Sequence, residues 1–275
     1  MQGRLTLVGT PIGNLSDFSD RAQQALRECD VIAAEDTRVT LRLLNHFDIK
    51  KPLVSYHEHN KREKGEQLCA RMEAGEHVVL VSDAGMPAIS DPGEDLVRLC
   101  RERGICVGCV PGPSAVITAL ALSGMPAGRF TFEGFLSVTK RPRREHLQSL
   151  QDEPRTMIFY EAPHKLCDTL QDLFDTLGDR PLSLCRELTK LHEEVVVTTL
   201  SKAIKQYSEE TPRGEFVLIV GGADKQEEAP LTVEDAVKLA RRYLEDGASV
   251  SEAAKRAAAQ TKIKKSEIYR LLVEE

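Results

Sequence analysis

Short apolar runs alternate with amphipathic stretches through the first 110 residues of the chain. The apolar runs have the length of buried strands and lie at Leu5–Val8, Val31–Ala34, Leu53–Tyr56, Val78–Ser82 and Ile105–Val110. The stretches between them have helical spacing and cover Asp17–Glu28, Leu41–Phe47, Lys61–Ala74 and Asp95–Arg103. This alternation predicts a mostly parallel sheet with helices on both faces.

The rhythm changes in the next hundred residues. Strand-like segments follow one another at Phe130–Phe135, Thr156–Glu161, Leu182–Leu188, Glu194–Thr199 and Glu215–Val220. Only one long helical stretch, Lys165–Leu177, separates them clearly. Strands without intervening helices favour antiparallel pairing, so we predict a second α/β domain with a mixed sheet.

The last part of the chain is helical. A polar segment, Gly222–Ala229, predicts a linker, and helical stretches follow at Thr232–Asp246, Ser249–Thr261 and Lys265–Glu274. Thr232 and Ser249 stand where N-caps are expected, and Gly247 stands where a helix should end. The predicted fold is therefore α/β, with an N-terminal domain over residues 1–115, a second domain over 116–222 and a cleft between them. A small helix-turn-helix-like module covers residues 231–275.

Glycine- and proline-rich loops follow several strands of the predicted parallel sheet. Ligands bind beyond the carboxyl ends of such strands, so we expect these loops on one rim. The first loop, Gly9–Asn14, lacks both the G-x-G-x-x-G spacing of dinucleotide sites and a P-loop motif. The segment from Gly112 to Val116 begins like a serine-hydrolase turn but lacks its final glycine.

Charge and cysteine content argue against several classes of protein for this chain. The net charge of −6 argues against a protein that coats nucleic acid by bulk electrostatics, so any RNA contact must be local. The seven cysteines have no framework spacing, and neither a membrane span nor a signal peptide is evident. We therefore expect a cytoplasmic protein whose Cys106 and Cys109 are buried structural thiols. His57 and His59 lack a third partner, and we predict no metal site.

Eight motifs occur in order along the chain. They are Val8-Gly-Thr-Pro-Ile-Gly-Asn14, Ala33-Ala-Glu-Asp-Thr-Arg38, Val81-Ser-Asp-Ala-Gly85 with Asp91-Pro-Gly93, Val110-Pro-Gly-Pro-Ser114, Phe132-Glu-Gly-Phe-Leu136, Phe159-Tyr-Glu161, Arg186-Glu-Leu-Thr-Lys190 and Gly214-Glu-Phe-Val217. With them the chain resembles the tetrapyrrole-methylase (class III) methyltransferase superfamily, from about Leu5 to Val220. Its first and third loops depart from the tetrapyrrole branch and match the RNA-modifying branch. That branch 2′-O-methylates a cytidine in the decoding region of 16S ribosomal RNA.

The resemblance implies that the cofactor is S-adenosylmethionine and that the family's cofactor contacts are made here by the residues at the matching positions. The matched positions are Pro11, Val81, Ser82, Asp83, Gly85, Ile89, Ser114, Ala115, Glu161 and Leu188. Small-residue loops and apolar walls suit this cofactor, since it has no phosphate to bind. The resemblance also implies a homodimer that acts on 16S ribosomal RNA, within the small ribosomal subunit.

Carboxylates at the predicted rim are candidates for the chemistry. We expect Glu35 or Asp36 to act as the base or to position the ribose hydroxyl, with Asp91 assisting. The alternative for Asp36 is a structural ion pair with Arg38 that fixes the loop.

Local positive charge supplies the candidate RNA contacts. Lys140, Arg141, Arg143 and Arg144 are expected in a loop over the cleft, with Arg38 near the rim. The segment 248–270, with six lysines and arginines against two glutamates, is either an RNA-facing surface or an inert packing domain. Two other functions remain open: a methyltransferase of the same fold acting on a tetrapyrrole or other small substrate, and a non-catalytic RNA-binding protein.

Overall fold

The structure is a computed structural model that describes residues 3–223, 232–261 and 263–273. The chain divides into two compact units after Ala223. Most of the predicted linker, together with Lys262 and Glu274, lies outside the described residues. Among the described residues, no helix is both long and apolar enough to cross a membrane.

The first sheet of the larger unit is parallel throughout. Its strands are β1 Arg4–Val8, β2 Val31–Ala34, β3 Leu53–Ser55, β4 His77–Val81 and β5 Cys106–Val110. They lie in the order β3-β2-β4-β1-β5, and every neighbouring pair is parallel. The predicted parallel sheet is confirmed, and β2 and β4 are apolar because they are central strands.

Helices cover both faces of this sheet. They are α1 Asp20–Glu28, α2 Thr37–His46, α3 Lys61–Glu73 and α4 Glu94–Glu102. Alternate residues of β2 serve the two faces: Val31 and Ala33 pack in the core beneath α3 and α4, whereas Ile32 and Ala34 pack beneath α1 and α2. Such two-sided burial explains why the strand is apolar at consecutive positions.

Helix α1 begins later than the sequence predicts. Asp17, the predicted first residue, is the last residue of a separate 3-10 turn, Leu15–Asp17. Helix α1 itself begins at Asp20. Ser19 caps it by accepting a hydrogen bond from the Ala22 amide. A cap of this kind is worth about 1 kcal/mol, which favours the start at Asp20.

The expectation of buried thiols in β5 is wrong. Cys106 and Cys109 are exposed, because β5 is an edge strand of the sheet and only Val110 among its residues is fully buried. The apolar run Ile105–Val110 does form the predicted strand, but its pattern did not reveal which strand lies at the edge.

The second sheet of the larger unit is mixed, as predicted. Its strands are β6 Phe130–Phe135, β7 Thr156–Glu161, β8 Pro181–Arg186, β9 Glu194–Thr199 and β10 Phe216–Val220. They lie in the order β6-β7-β10-β8-β9. The pair β6–β7 is parallel and the other three pairs are antiparallel.

Four helices accompany the second sheet, not the single one that the sequence indicated. They are α5 Ala115–Ser123, α6 Lys140–Ser149, α7 Leu166–Leu177 and α8 Leu200–Glu209. The segment Lys140–Arg144, expected to be a loop, forms the first turn of α6. The sequence of α6 has only a weak helical period of apolar residues, because Leu147 is its only buried residue. Pro142 does not interrupt the helix, because proline is tolerated in the first turn. The two sheets lie on either side of the predicted domain boundary at residues 115 and 116, which stays a prediction within one compact unit.

The described residues of the smaller unit, 232–261 and 263–273, form three helices, as predicted. They are α9 Val233–Glu245, α10 Val250–Thr261 and α11 Lys265–Val273. Thr232 caps α9 in a capping box with Asp235, Ser249 accepts a hydrogen bond from the Glu252 amide, and Gly247 has φ +88°. Alanines of α9 and α10 pack with Ile268 of α11 at the centre of this unit.

Candidate active site

The loops after β1, β2, β4 and β5 meet at the carboxyl edge of the first sheet. Thr10 and Gly85 exchange backbone hydrogen bonds of 2.9 and 3.1 Å. The Asp36 amide donates to Oδ1 of Asp83 at 3.0 Å. These contacts join the first and second loops to the long loop after β4, and the predicted common rim is present.

Two glycines bring the first and last of these loops into backbone contact. A Cβ on Gly9 would lie 2.7 Å from the Cα of Gly112, and a Cβ on Gly112 would lie 2.8 Å from the Cα of Gly9. Any larger residue at either position would push the loops apart. The requirement for glycine in both motifs is therefore steric, and it fixes the floor of the rim.

Backbone strain concentrates beside the rim. Ala88, in the long loop after β4, has φ 65°, and Glu187 and Thr189 have φ 52° and 65° after β8. Each such residue costs on the order of 1–3 kcal/mol, and such strain clusters at functional sites. Leu188 lies between the last two, so the strained turn determines where its side chain points.

A cavity of about 550 Å³ opens beside the rim, within the larger unit. Its volume is in the range of small-molecule sites. Nine of the predicted site residues line it: Glu35, Asp83, Gly85, Ile89, Asp91, Ser114, Ala115, Glu161 and Leu188. The other three predicted cofactor contacts are not among its lining residues. Val81 and Ser82 are buried, and Pro11 precedes Ile12, which lines the cavity in its place.

The sequence missed several lining residues that the second sheet supplies. Phe135, Tyr160, Glu215 and Phe216 line the cavity, and each lies inside a motif quoted above. Their motifs pointed to the site, but which side chains face it depends on strand register. Pairing of β7 with β6 and β10 decides that, and it involves residues far apart in the chain.

Three carboxylates from two loops gather in the cavity: Glu35 follows β2, and Asp83 and Asp91 lie in the long loop after β4. Partial burial, together with the negative charges of Asp91, Asp83 and Asp36, raises the pKa of Glu35 to about 7. Burial also raises the pKa values of Asp91 and Asp83 above their ordinary range. A glutamate that is half ionised near neutral pH suits proton transfer.

Asp36, next to Glu35, has a different environment. Its carboxylate accepts hydrogen bonds from the Arg38 amide at 2.8 Å and from the Arg38 guanidinium at 2.6 Å. These bonds lower the pKa of Asp36 to about 2, and they cap the first turn of α2. The geometry is that of the structural ion pair considered above, and it separates the two neighbouring carboxylates.

Glu161 is fixed by a chain of polar contacts that reaches α6. The buried carboxylate accepts a hydrogen bond from the hydroxyl of Thr169 and one from the Ala162 amide. Arg143 donates to the same Thr169 hydroxyl at 2.8 Å and to Asp172 at 2.6 Å. The Arg143 side chain is 15% exposed, so it points inward instead of offering its charge to a phosphate.

The other cations of the predicted basic cluster do face solvent. Lys140, Arg141 and Arg144 are exposed on the first turn of α6, although Arg141 pairs with Glu145. Arg38 is exposed near the rim. In the smaller unit, Lys255, Lys264 and Lys265 are exposed, whereas Lys262 lies outside the described residues.

His57 and His59 are the two residues that the sequence analysis considered, and rejected, as metal ligands. Their rings contact each other with centroids 5.9 Å apart, and His57 faces Asn60. Within the part of the chain that the structure describes, no group of three or more histidine, cysteine, aspartate or glutamate side chains could hold a metal ion.

Comparison with known proteins supplies the family. Residues 4–204 match the family model described as Tetrapyrrole (Corrin/Porphyrin) Methylases. Two proteins named ribosomal RNA small subunit methyltransferase I, from Synechocystis and Halalkalibacterium halodurans, are each 47% identical to the chain. They match 99% and 100% of it and 98% and 96% of their own lengths.

The solved structures agree on the fold. A uroporphyrin-III C-methyltransferase from Thermus thermophilus, complexed with S-adenosyl homocysteine, has a TM-score of 0.56 at 21% identity. The match covers 80% of this chain and 97% of that one. The chain therefore belongs to the tetrapyrrole methylase family and, within it, to the ribosomal RNA small subunit methyltransferase I family.

Proposed function

We propose that this protein transfers a methyl group from S-adenosylmethionine to the 2′-hydroxyl of a cytidine ribose in the decoding region of 16S ribosomal RNA. The observation that carries the proposal is the position and environment of Glu35. It lines a cavity of cofactor size, and its pKa is raised to about 7. Relatives named as ribosomal RNA methyltransferases support the RNA substrate.

The charge of the cavity fits this cofactor. The described lining residues include five carboxylates, on Glu35, Asp83, Asp91, Glu161 and Glu215, and among them there is no lysine, arginine or histidine. S-adenosylmethionine supplies a methyl group on a cationic sulfonium and carries no phosphate. An acidic cavity with a small-residue floor favours such a ligand by charge and by shape.

Named residues would divide the work of holding it. Gly85, Ser114 and Ala115 let ligand atoms approach the backbone, because their side chains are absent or small. Ile89 and Leu188 supply apolar walls from the two sheets. The carboxylates of Asp83 and Glu161 accept hydrogen bonds from the backbone amides of Asp36 and Ala162, which leaves their remaining lone pairs for the ligand.

Glu35 would accept the proton of the ribose hydroxyl. A ribose hydroxyl is a weak nucleophile, so a positioned base should act as the new bond to carbon forms. The charges of Asp91 and Asp83 strengthen this base by raising its pKa from the usual 4.5. Asp36 would instead fix the loop through Arg38, and Asp91 would assist through its charge.

Phosphate contacts would come from the exposed cations. Lys140, Arg141 and Arg144 form one patch on α6, and Arg38 adds a charge near the rim. Phosphates carry the salt-dependent part of RNA affinity, and these side chains are the common partners of phosphate. The exposed lysines of the smaller unit are a further candidate surface.

A tetrapyrrole is a poorer ligand for this cavity. Biological tetrapyrroles of this class carry several acidic side chains, and the five lining carboxylates would repel them. A non-catalytic RNA-binding protein would have no use for a half-buried glutamate with a pKa near neutrality. Both alternatives are therefore less consistent with the cavity than methyl transfer to a ribose.

The test is methyl transfer to small ribosomal subunits from a strain that lacks the gene. Labelled S-adenosylmethionine should transfer label to 16S ribosomal RNA, and mass spectrometry should map it to a 2′-O-methylcytidine. The same assay with uroporphyrinogen addresses the tetrapyrrole alternative. Label on a base, on protein or on the tetrapyrrole alone would overturn the proposal.

We also propose that the protein acts as a homodimer. Helix α5 is apolar all round, with the sequence AVITALALS, yet Ile117 and Leu122 are 55% and 45% exposed. Val197 on β9 is 70% exposed. A helix that is apolar on every side is normally buried, so a second subunit should cover this face. Light scattering should give twice the mass of 30.5 kDa.

A further inference from the structure

A β-bulge interrupts the edge strand β6 beside the cavity. Strands β6 and β7 pair in parallel with Phe132 opposite Ile158, and the register then shifts so that Gly134 lies opposite Phe159. Glu133 is the extra residue, and Gly134 adopts φ +65°, which favours glycine. Bulges are rare in parallel pairs and occur next to active sites, where they redirect a side chain.

The redirected side chain is Phe135. After the shift Phe135 lies opposite Tyr160, whereas regular pairing would place Gly134 there. Since alternate residues of a strand share a face, the bulge puts Phe132 and Phe135 on the same face as Tyr160. Their rings lie 5.1 and 5.4 Å from the Tyr160 ring.

The redirected ring faces solvent at the cavity mouth. Phe135 lines the cavity together with Glu35, yet the side chain is 61% exposed. One of its sides packs on Tyr160, which is itself packed against the core of the second sheet. The bulge therefore turns a phenylalanine out of regular alternation and supports it from behind.

The surroundings of this ring are those of a nucleic-acid site. Five residues after Phe135, α6 begins with the exposed cations Lys140 and Arg141. Aromatic rings that stack on bases, next to cations that bind phosphates, are the usual combination for unpaired nucleotides. The acidic lining of the cavity itself would repel a phosphate, so the base and not the phosphate should approach here.

We propose that the exposed ring of Phe135 is a binding site for a nucleobase: the base of the target nucleotide stacks on it while its ribose reaches the cavity. This inference rests on the proposed function. A base inside a folded ribosomal RNA must leave its stack before the enzyme reaches its ribose, and a ring at the mouth replaces the lost stacking. Stacking accepts any base, so the site positions the nucleotide and does not select cytosine.

The test compares three substitutions at Phe135 in the full-length protein. Phe135→Ala should lower kcat/KM for methylation of unmodified small ribosomal subunits by roughly 5- to 150-fold, the range that base–aromatic stacking supplies. Phe135→Leu should be nearly as poor, because leucine is apolar but has no π-face. Phe135→Trp should restore activity. Titration should show unchanged affinity for S-adenosylmethionine in all three.

Val138→Ala is the matched control. Val138 is 77% exposed, lies three residues further along and is not a cavity-lining residue, so its loss should leave kcat/KM unchanged. A Phe135→Leu variant as active as the unsubstituted protein would overturn the inference. So would a matching loss of cofactor affinity, which would assign the ring to the adenine, or a change in oligomeric mass, which would assign it to a second copy. If the unsubstituted protein transfers no methyl group to the subunits, the proposed function itself fails, and the inference falls with it.

Discussion

Replacing Glu35 by glutamine removes the carboxylate but keeps the size and most of the hydrogen-bonding capacity of the side chain. If Glu35 is the base, the rate of methyl transfer should fall by ~10²-fold or more, which is the usual effect of losing a general base. Binding of S-adenosylmethionine and of the ribosomal subunit should change little, because glutamine keeps the loop geometry.

The pKa of Glu35 adds a quantitative signature in the unsubstituted protein. With a pKa of about 7, roughly a tenth of the molecules carry an ionised Glu35 at pH 6 and about nine-tenths do so at pH 8. The single-turnover rate should therefore rise about ten-fold between these values and then level off. Asp91→Asn should move this inflection to lower pH, because it removes a charge that raises the pKa of Glu35.

The substitution Glu35→Gln should stabilise the fold at higher pH. Glu35 binds its proton more tightly in the folded protein, where its pKa is about 7, than at the ordinary value of 4.5. The free energy of unfolding therefore falls as pH rises from 4.5 through 7, and glutamine abolishes that fall. The shift corresponds to at most about 3 kcal/mol, which solvent screening of a partly exposed group reduces to about 1 kcal/mol.

The assay is single-turnover methylation of unmodified subunits with saturating enzyme and cofactor, from pH 5.5 to 8.5. Urea unfolding at pH 5 and pH 8 measures the stability difference. Asp36→Asn is the comparison variant: it removes the neighbouring carboxylate, which pairs with Arg38, so the rate should keep its pH dependence, with the inflection at lower pH because the Asp36 charge also raises the pKa of Glu35. A flat pH profile, or a Glu35→Gln variant with near-normal rate, would refute the assignment of Glu35 and direct attention to Asp91.

Three further predictions concern the ligands. Asp83→Ala should weaken binding of S-adenosylmethionine and spare RNA binding, because Asp83 lines the cavity; an unchanged titration would contradict its role there. Replacing Lys140, Arg141 and Arg144 together by alanine should reduce the salt dependence of subunit binding by about 2 to 3 in slope, and an unchanged slope would mean that the patch contacts only solvent. Thr169→Val removes the hydroxyl that holds Glu161 and should weaken cofactor binding about ten-fold, whereas Thr169→Ser should restore it. Equal affinity in both variants would leave Thr169 no role in positioning Glu161.

The sequence by itself determined the local features of this protein. Consecutive apolar residues in β2 and β4 marked central parallel strands, and Thr232 marked the start of α9. The rim of loops also followed, because parallel strands end at the same edge of a sheet. Of the candidate residues, those on the short loops, such as Glu35 and Ser114, line the cavity as neighbours of a strand's carboxyl end should.

The tertiary structure decided whatever depends on partners distant in the chain. Position in the sheet made β5 an edge strand and exposed Cys106 and Cys109, although their apolar run looks like a buried strand. The adjacent carboxylates of Glu35 and Asp36 lie in different environments: Arg38 pairs with Asp36 and lowers its pKa, whereas partial burial and the neighbouring aspartates raise the pKa of Glu35.

Strand register and helix packing determined the orientation of Phe135 and Arg143. A one-residue bulge chose the face of Phe135, and packing on α7 turned Arg143 away from solvent toward Thr169. Local patterns report periodicity and turn chemistry, which short stretches of chain impose. Burial, charge environment and strand register are properties of contacts between elements, so they arise only when the sheets and helices pack together.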